Sequence, residues 1–293
     1  MRLRRELGIL LVVLMCSSAA WSQDVDDAQW KAMLKDGMLD RATAFCKGLT
    51  ETSDVAKQVE GHKCLANVAL QQPSGLQIQG NDAGGGMLGP GYTAAAIDDA
   101  LSHLDAAMKL APQDLSLHQG RLHLLEISYR FDAMAKALEE SCTIYKGPDV
   151  PDAWLAYTYE LGEDKQYKAA LALLQILDRH YPNNHDIVGN IGAMYSFLQQ
   201  DDEAVRYLKR AIELAPDDPI DNWNLGRLYD YTGKSELADQ YYNKSMSVDT
   251  DTERLRENRC LYGYFVEKQL HDKKRACTLQ KKNCPPDERT ACR

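Results

Sequence analysis

The sequence lacks the short motifs that mark most catalytic sites. It contains no Cys-x-x-Cys, no His-Glu-x-x-His and no Gly-x-Ser-x-Gly, so a thioredoxin-like dithiol, a zinc protease site and a nucleophile elbow are without support. Among the seven histidines, His118 and His123 lie five residues apart, a spacing that makes a poor chelate on a helix. These absences argue against an enzyme.

Long apolar runs are also missing, with one short exception at the N terminus. Three arginines precede an apolar core at residues 7–15, and residues 20–22 place small side chains at both positions that a signal peptidase reads. This pattern predicts a secretory signal peptide over residues 1–22, because the apolar core is too short to span a membrane. A lipid anchor at Cys16 is the alternative, although Met15 stands where a lipoprotein signal needs a small residue.

Basic residues are scarce through most of the chain. Residues 23–252 carry 20 Lys/Arg against 36 Asp/Glu, whereas residues 253–293 carry 11 against 6. Because an acidic body repels phosphate, the charge argues against nucleic acid as a partner. We interpret the basic tail as a solvated terminus, with contact to an acidic partner, an anionic surface or the protein's own body as alternatives.

A repeat of 34 residues organises the chain. Residues 151–184, 185–218 and 219–252 align without a gap. A small residue recurs at Ala170, Ala204 and Ala238, and a larger residue follows four positions later at Leu174, Leu208 and Tyr242. A fixed period of this length predicts stacked pairs of antiparallel helices. The small residues would let the two helices approach, and the larger ones would fill the space between one repeat and the next.

These columns resemble the tetratricopeptide repeat (TPR) family, here in the form of an exported bacterial member. The matching residues are Asn224-Leu225-Gly226, Tyr229, Gly233, Ala238 and Tyr242 in one repeat, and Asn190-Ile191-Gly192, Tyr195, Ala204, Ala211 and Pro216 in the repeat before it. The resemblance implies an all-α fold, a right-handed α-solenoid of antiparallel helix hairpins. An N-terminal helical hairpin and a Cys-rich C-terminal cap would complete it.

The rest of the chain is arranged around the repeats. After the signal peptide we expect an N-terminal helical hairpin at 23–72, a Gly-rich linker at 73–91 and a capping helix with an irregular, Cys-rich basic tail at 253–293. The TPR-like region covers 92–252, with a partial unit at 92–114 and full units at 115–148, 151–184, 185–218 and 219–252. The Gly-rich segment does not read as a phosphate loop, because it has no lysine and no strand precedes it.

The cysteines predict disulfide bonds, since an exported chain meets an oxidising compartment. We expect Cys46 to pair with Cys64 and staple the N-terminal hairpin. The four tail cysteines, Cys260, Cys277, Cys284 and Cys292, would form two further bonds, and three connectivities remain open. Cys142 is left over and is expected to be a buried thiol. A zinc site in the tail is the alternative, but gaps of 16, 6 and 7 residues do not match the usual Cys-x2–4-Cys pairs.

The resemblance also implies where a partner would bind, because ligands of this family usually lie against the first helix of each repeat. Carried over to this sequence, the candidate residues are Tyr159, Asn190, Phe197, Trp223, Asn224, Arg227 and Tyr231. Aromatic and arginine side chains dominate binding hot spots, and the asparagines could bond an extended peptide backbone. With only Arg227 available, capture of a terminal carboxylate is not expected. Trp223 and Tyr231 could instead pack on a neighbouring helix.

We therefore expect an exported adaptor or scaffold in the periplasm, or secreted, rather than an enzyme. It would bind a protein or peptide, would need no cofactor or metal, and would touch a membrane only indirectly or through the anchor at Cys16. Assembly of an envelope, secretion or pilus complex is the process that the family analogy suggests. The alternatives are an accessory subunit with a redox or metal-handling Cys tail and an unrecognised enzyme.

Overall fold

The computed structural model describes residues 25–71, 92–145, 152–247 and 253–292. In these ranges the regular elements are fourteen α-helices and two short 3-10 helices, which confirms the all-α prediction. The α-helices, in chain order, are α1 Val25–Lys35, α2 Leu39–Thr50, α3 Val55–Gln71, α4 Ala94–Leu110, α5 Leu115–Ile127, α6 Phe131–Ile144, α7 Asp152–Glu163, α8 Tyr167–His180, α9 His185–Phe197, α10 Asp201–Leu214, α11 Pro219–Tyr231, α12 Ser235–Ser247, α13 Glu253–Lys268 and α14 Lys273–Asn283.

Two predicted segments lie outside the described residues, namely the signal peptide at 1–22 and the Gly-rich linker at 73–91. The helices fall into two compact units, Met1–Tyr157 and Thr158–Arg293, with the boundary inside α7. The finer domain boundaries given above stay a prediction.

In the first unit, helices α1 to α3 form a small N-terminal core. The Cys46–Cys64 disulfide joins α2 to α3 inside it, as the sequence predicts. Trp30 packs in the same core, and its indole N–H donates to Glu60 at 2.6 Å. A second core is shared by α3, α4 and α5. His118 is buried there, with one ring nitrogen 2.8 Å from Ser141 Oγ and the other 2.8 Å from the carbonyl of Pro112. It therefore has a structural role.

Two neighbouring histidines predict that the stability of the first unit depends on pH. His62 of α3 and His103 of α4 face each other, with 3.3 Å between their Nδ1 atoms. Burial lowers the pKa of both rings; the charge of His103 lowers that of His62 further, whereas Asp99 partly opposes the effect at His103. At a pH near or below ~6.5, the folded state thus binds fewer protons than the unfolded chain. The free energy of unfolding is therefore highest above pH ~6.5 and decreases as the pH falls below that value.

We expect the urea midpoint of the wild type to fall between pH 7 and pH 5 by more than that of His103→Gln, since glutamine removes the like-charge pair. The exposed His180 serves as the matched control, and His180→Gln should keep the wild-type pH dependence. Equal pH profiles for the wild type and His103→Gln would contradict the assignment.

In the second unit, consecutive hairpins share one turn geometry. The residue that links the two helices of each hairpin has a positive φ, at Lys165 (61°), Gln199 (59°) and Gly233 (74°), each 34 residues after the last. Tyr129 has the same conformation (57°) in the preceding hairpin. Only Gly233 adopts this left-handed region without a Cβ penalty.

Gly233→Ala should therefore destabilise the second unit by about 1 kcal/mol, although a Cβ there would meet no atom within 4 Å. The equivalent turn supplies the reciprocal variant: Gln199→Gly should be neutral or gain up to about 1 kcal/mol. Urea denaturation followed by circular dichroism measures both. The same sign of change for both substitutions would refute the turn argument.

The repeat columns pack as close contacts within each hairpin. A Cβ on Gly192 would lie 2.7 Å from Leu208 Cγ, and one on Gly226 would lie 2.8 Å from the ring of Tyr242. In these two repeats the larger residue thus packs over the glycine of its own hairpin. The sequence predicted that these side chains fill the space between one repeat and the next, and the structure adds a contact within their own hairpin. Tyr242 serves both purposes, because its ring also contacts Tyr262 and Phe265 of α13.

The C-terminal segment folds as a helical cap, and the expectation of an irregular tail beyond the capping helix is wrong, because a second helix covers Lys273–Asn283. Asp272 caps α14, and Cys260–Cys284 and Cys277–Cys292 close the two tail disulfides. Arg275 forms a bidentate pair with Asp239 of α12 at 2.9 and 3.1 Å. Part of the basic tail therefore contacts the protein's own body. The apolar pattern of the sequence did not predict α14, because its buried positions are Ala276 and Gln280 rather than large apolar residues.

Candidate partner-binding surface

The candidate surface lies on the first helices of consecutive hairpins, α7, α9 and α11. Asn184 caps α9 through the N–H of Ile187, and Asp218 caps α11 through the N–H groups of Ile220 and Asp221. Because the two helices start at equivalent repeat positions, they present equivalent residues at their C-terminal ends. Phe197 ends α9 and Tyr231 ends α11.

Three of the predicted aromatic residues are exposed. Tyr159 is 48% exposed, Phe197 43% and Tyr231 71%, values that are high for large apolar side chains. Asn190 Nδ2 donates to the hydroxyl of Tyr159 at 3.1 Å, which joins α7 to α9. The structure thus leaves these aromatic faces accessible while fixing part of their surroundings.

Phe197 lies at the centre of a stacked arrangement. The ring of Tyr167, the first residue of α8, lies 4.8 Å from it with the planes 9° apart. The guanidinium of Arg227 from α11 lies 5.1 Å from the centroid of the same ring. Offset stacking and cation–π contacts of this kind hold side chains in place at low entropic cost. The predicted residues Phe197 and Arg227 are therefore brought together across two repeats.

The other two candidates are less accessible. Trp223 is only 7% exposed, and its ring packs 4.5 Å from that of Tyr242 in the core. Trp223 therefore packs beneath the candidate surface and is not accessible to a partner. This is the packing on a neighbouring helix predicted from the sequence as the alternative. Asn224 is half-buried. Nearby, burial raises the pKa of Asp230, and a hydrogen bond from Tyr242 partly offsets the rise.

Comparison with known proteins identifies the repeats. Residues 185–218 and 222–252 match the family model described as tetratricopeptide repeat. The chain carries tetratricopeptide repeats. The comparison with curated proteins gave no match.

Solved structures resemble the chain at low identity. YrrB, titled a TPR protein with an unusual peptide-binding site, is 18% identical, with a TM-score of 0.41 over 78% of this chain and 96% of that one. PilF of Pseudomonas aeruginosa is 15% identical, with a TM-score of 0.44 over 66% and 87%. The human IFIT1 dimer with PPP-AAAA is 17% identical, with a TM-score of 0.45 over 88% of this chain but only 58% of that one. These likenesses concern the fold, and we infer no ligand from them.

Tyr167, which stacks on Phe197, is not among the residues that the sequence predicts for the candidate surface. It lies in the second helix of its hairpin, outside the positions that the family pattern assigns to binding. The equivalent positions in the next two TPRs are Asp201 and Ser235. Tyr167 is therefore aromatic at a position where the following repeats have small or acidic residues, and this difference could have marked it as a candidate.

In the first unit an open cavity of about 290 Å³ is lined by Asp105, Met108, Lys109, Pro112, Arg121, Glu140 and Ile144. Arg121 pairs there with Asp105 at 3.3 Å and Glu140 at 2.7 Å, so charges of the wall offset one another.

In the part of the chain that the structure describes, no helix has the length and apolar character needed to cross a membrane.

Proposed function

We propose that this TPR protein is an exported adaptor that holds an extended segment of a partner protein against α7, α9 and α11. The observation that carries the proposal is that Tyr159, Phe197 and Tyr231 are exposed on successive first helices, with Arg227 lying over the ring of Phe197. Soluble proteins seldom leave several large aromatic side chains exposed along one row without a binding role. Asn190 and Asn224 lie on the same helices and supply polar contacts for a peptide backbone.

The chemistry of the surface favours a segment with apolar side chains. Three exposed aromatic rings offer apolar contact area for such side chains, and a single guanidinium does not suffice to clamp a carboxylate as several cations would. The net negative charge of residues 23–252 disfavours RNA or DNA on this surface. The partner is therefore a protein or peptide, and no cofactor is required.

Export rests on two features that support each other. The first 22 residues read as a signal peptide, and three disulfides join six cysteines in the described residues. Disulfides of this kind persist in the periplasm or outside the cell. We place the adaptor in assembly of an envelope, secretion or pilus complex, on family analogy. An accessory role with a redox or metal-handling Cys tail gains no support, because all four tail cysteines are paired.

A photo-crosslinking residue at position 231 of the full chain, expressed with its signal, tests the proposal. We expect it to capture a specific exported protein, and Arg227→Ala should lower the yield about tenfold, which corresponds to about 1.4 kcal/mol and places Arg227 among the minority of interface residues that cost more than about 1 kcal/mol on truncation. Arg206 offers a matched control, because its guanidinium also lies over a ring, that of Tyr207, but on the second helix α10. Arg206→Ala should leave the yield unchanged. Equal capture by wild type and Arg227→Ala would disprove this surface.

A further inference from the structure

Three side chains of the metal-ligand type meet where one repeat follows another in the second unit. His185 is the first residue of α9, Asp218 is the N-cap of α11, and Asp221 lies in the first turn of α11. One donor atom from each lies within 4.8 Å of the other two. The cluster arises because the 34-residue period places the N-termini of α9 and α11 side by side.

Asp221 is the unusual member of this cluster. Its residue is only 4% exposed, and its Oδ2 atom has no hydrogen-bond partner. That oxygen lies 3.5 Å from Nδ1 of His185, which also lacks a hydrogen-bond partner. A buried carboxylate costs several kcal/mol unless hydrogen bonds or a cation offset the lost hydration. Two unsatisfied ligand atoms therefore face each other in a shielded position.

The surrounding chain fixes both carboxylates. Asp218 Oδ1 accepts from the backbone N–H groups of Ile220 and Asp221, each at 2.8 Å. Asp221 Oδ1 lies over Gly189 of α9, where a Cβ would come within 2.0 Å of it. The glycine thus leaves room for Asp221 to reach across from α11. Asp186 is a further acidic neighbour, with its Oδ1 3.8 Å from His185 Nδ1.

We propose that His185, Asp218 and Asp221 bind one divalent transition-metal ion, Zn²⁺ or Mn²⁺, between consecutive repeats. An imidazole beside two carboxylates suits these ions, whereas Mg²⁺ and Ca²⁺ prefer sets made only of oxygen. Ligands of one tetrahedral ion at about 2.1 Å lie about 3.4 Å apart, so two donors at the 4.8 Å limit would need to close by about 1.4 Å.

The ion would satisfy both unpartnered atoms and offset the buried charge of Asp221. It would also tie together α9 and α11, the helices that carry Phe197, Arg227 and Tyr231. The site stands apart from the partner-binding proposal, because none of its three ligands belongs to that surface.

Zn²⁺ titration of the full chain, stripped beforehand with a chelator, tests the site. Calorimetry should give one Zn²⁺ per chain together with a higher melting temperature, and Mg²⁺ or Ca²⁺ should not substitute. Asp221→Asn and His185→Gln should each weaken binding at least about tenfold. Asp221→Asn also reports on folding, since it removes the buried charge: its metal-free melting temperature should be no lower than that of the wild type. Asp217→Asn, which changes an exposed acid beside the site, should bind Zn²⁺ like the wild type.

Three outcomes would overturn the assignment. One is the absence of binding in the wild type at millimolar Zn²⁺. Another is tight binding that survives Asp221→Asn. The third is binding that His103→Gln abolishes while Asp221→Asn retains it, because the ion would then be held by the His62–His103 pair of the first unit.

Discussion

Gly192→Ala is expected to destabilise the second unit by up to about 2 kcal/mol, because overpacking typically costs about 1–3 kcal/mol and the gain in helix propensity offsets about 1 kcal/mol of it. A Cβ at this position would lie 2.7 Å from Leu208 Cγ and 3.0 Å from the Leu208 backbone N. The side chain of leucine could rotate away, but the backbone of α10 could not move without separating the two helices of the hairpin. The loss therefore exceeds the gain in helix propensity, which is about 1 kcal/mol for Gly→Ala.

The chain provides a matched control for this prediction in α7. Gly162 lies in the equivalent helix of the preceding repeat, and a Cβ there would meet only Met194 Cε at 3.6 Å, an ordinary contact. Gly162→Ala should therefore leave the urea midpoint unchanged or raise it. If Gly192→Ala proved as stable as Gly162→Ala, close approach of α9 and α10 could not be what the repeat glycine provides.

Periodicity predicted the contacts of the repeat well because it reports which positions must be small. Ala204 and Leu208 are both fully buried, and Gly192 lies against Leu208. The sequence spacing alone places these residues on facing sides of a hairpin. Pairing of Cys46 with Cys64 was predictable for a similar reason, since both fall on neighbouring helices of one hairpin.

Exposure along a first helix was harder to predict. Trp223, Arg227 and Tyr231 follow one another at intervals of four, and each step of four turns about 40° beyond a full helical revolution. The row therefore drifts from the core to the solvent, and the exposed fraction rises from 7% at Trp223 to 71% at Tyr231. A family pattern assigns all three to one surface, whereas the local rotation decides which of them a partner can reach.

Contacts between repeats were also beyond sequence reasoning. The meeting of His185 with Asp221 depends on the register of two helix starts and on the space above Gly189. Likewise, Arg275 reaches Asp239 from a helix whose apolar face is nearly absent from the sequence. Both contacts join residues 36 positions apart, and no local sequence pattern predicts either of them.

Disulfide bonds should account for a large part of the stability of the C-terminal cap. Cys260–Cys284 closes a separation of 24 residues and Cys277–Cys292 one of 15. A bond across a loop of this size stabilises by about 3 kcal/mol in the chain-entropy account. The cap covers the ring of Tyr242 with Tyr262 and Phe265, so its loss would also expose an aromatic core.

We therefore expect Cys260→Ser/Cys284→Ser to lower the stability of the second unit by about 2–4 kcal/mol and to increase binding of a hydrophobic dye. Cys142→Ser is the control, because Cys142 is buried but lies outside the three disulfides. After cleavage of residues 1–22, a denatured chain should show one reactive thiol before reduction and seven after it. Seven thiols without reduction, or a urea midpoint that a reductant leaves unchanged, would contradict the paired arrangement and remove one of the two supports for export.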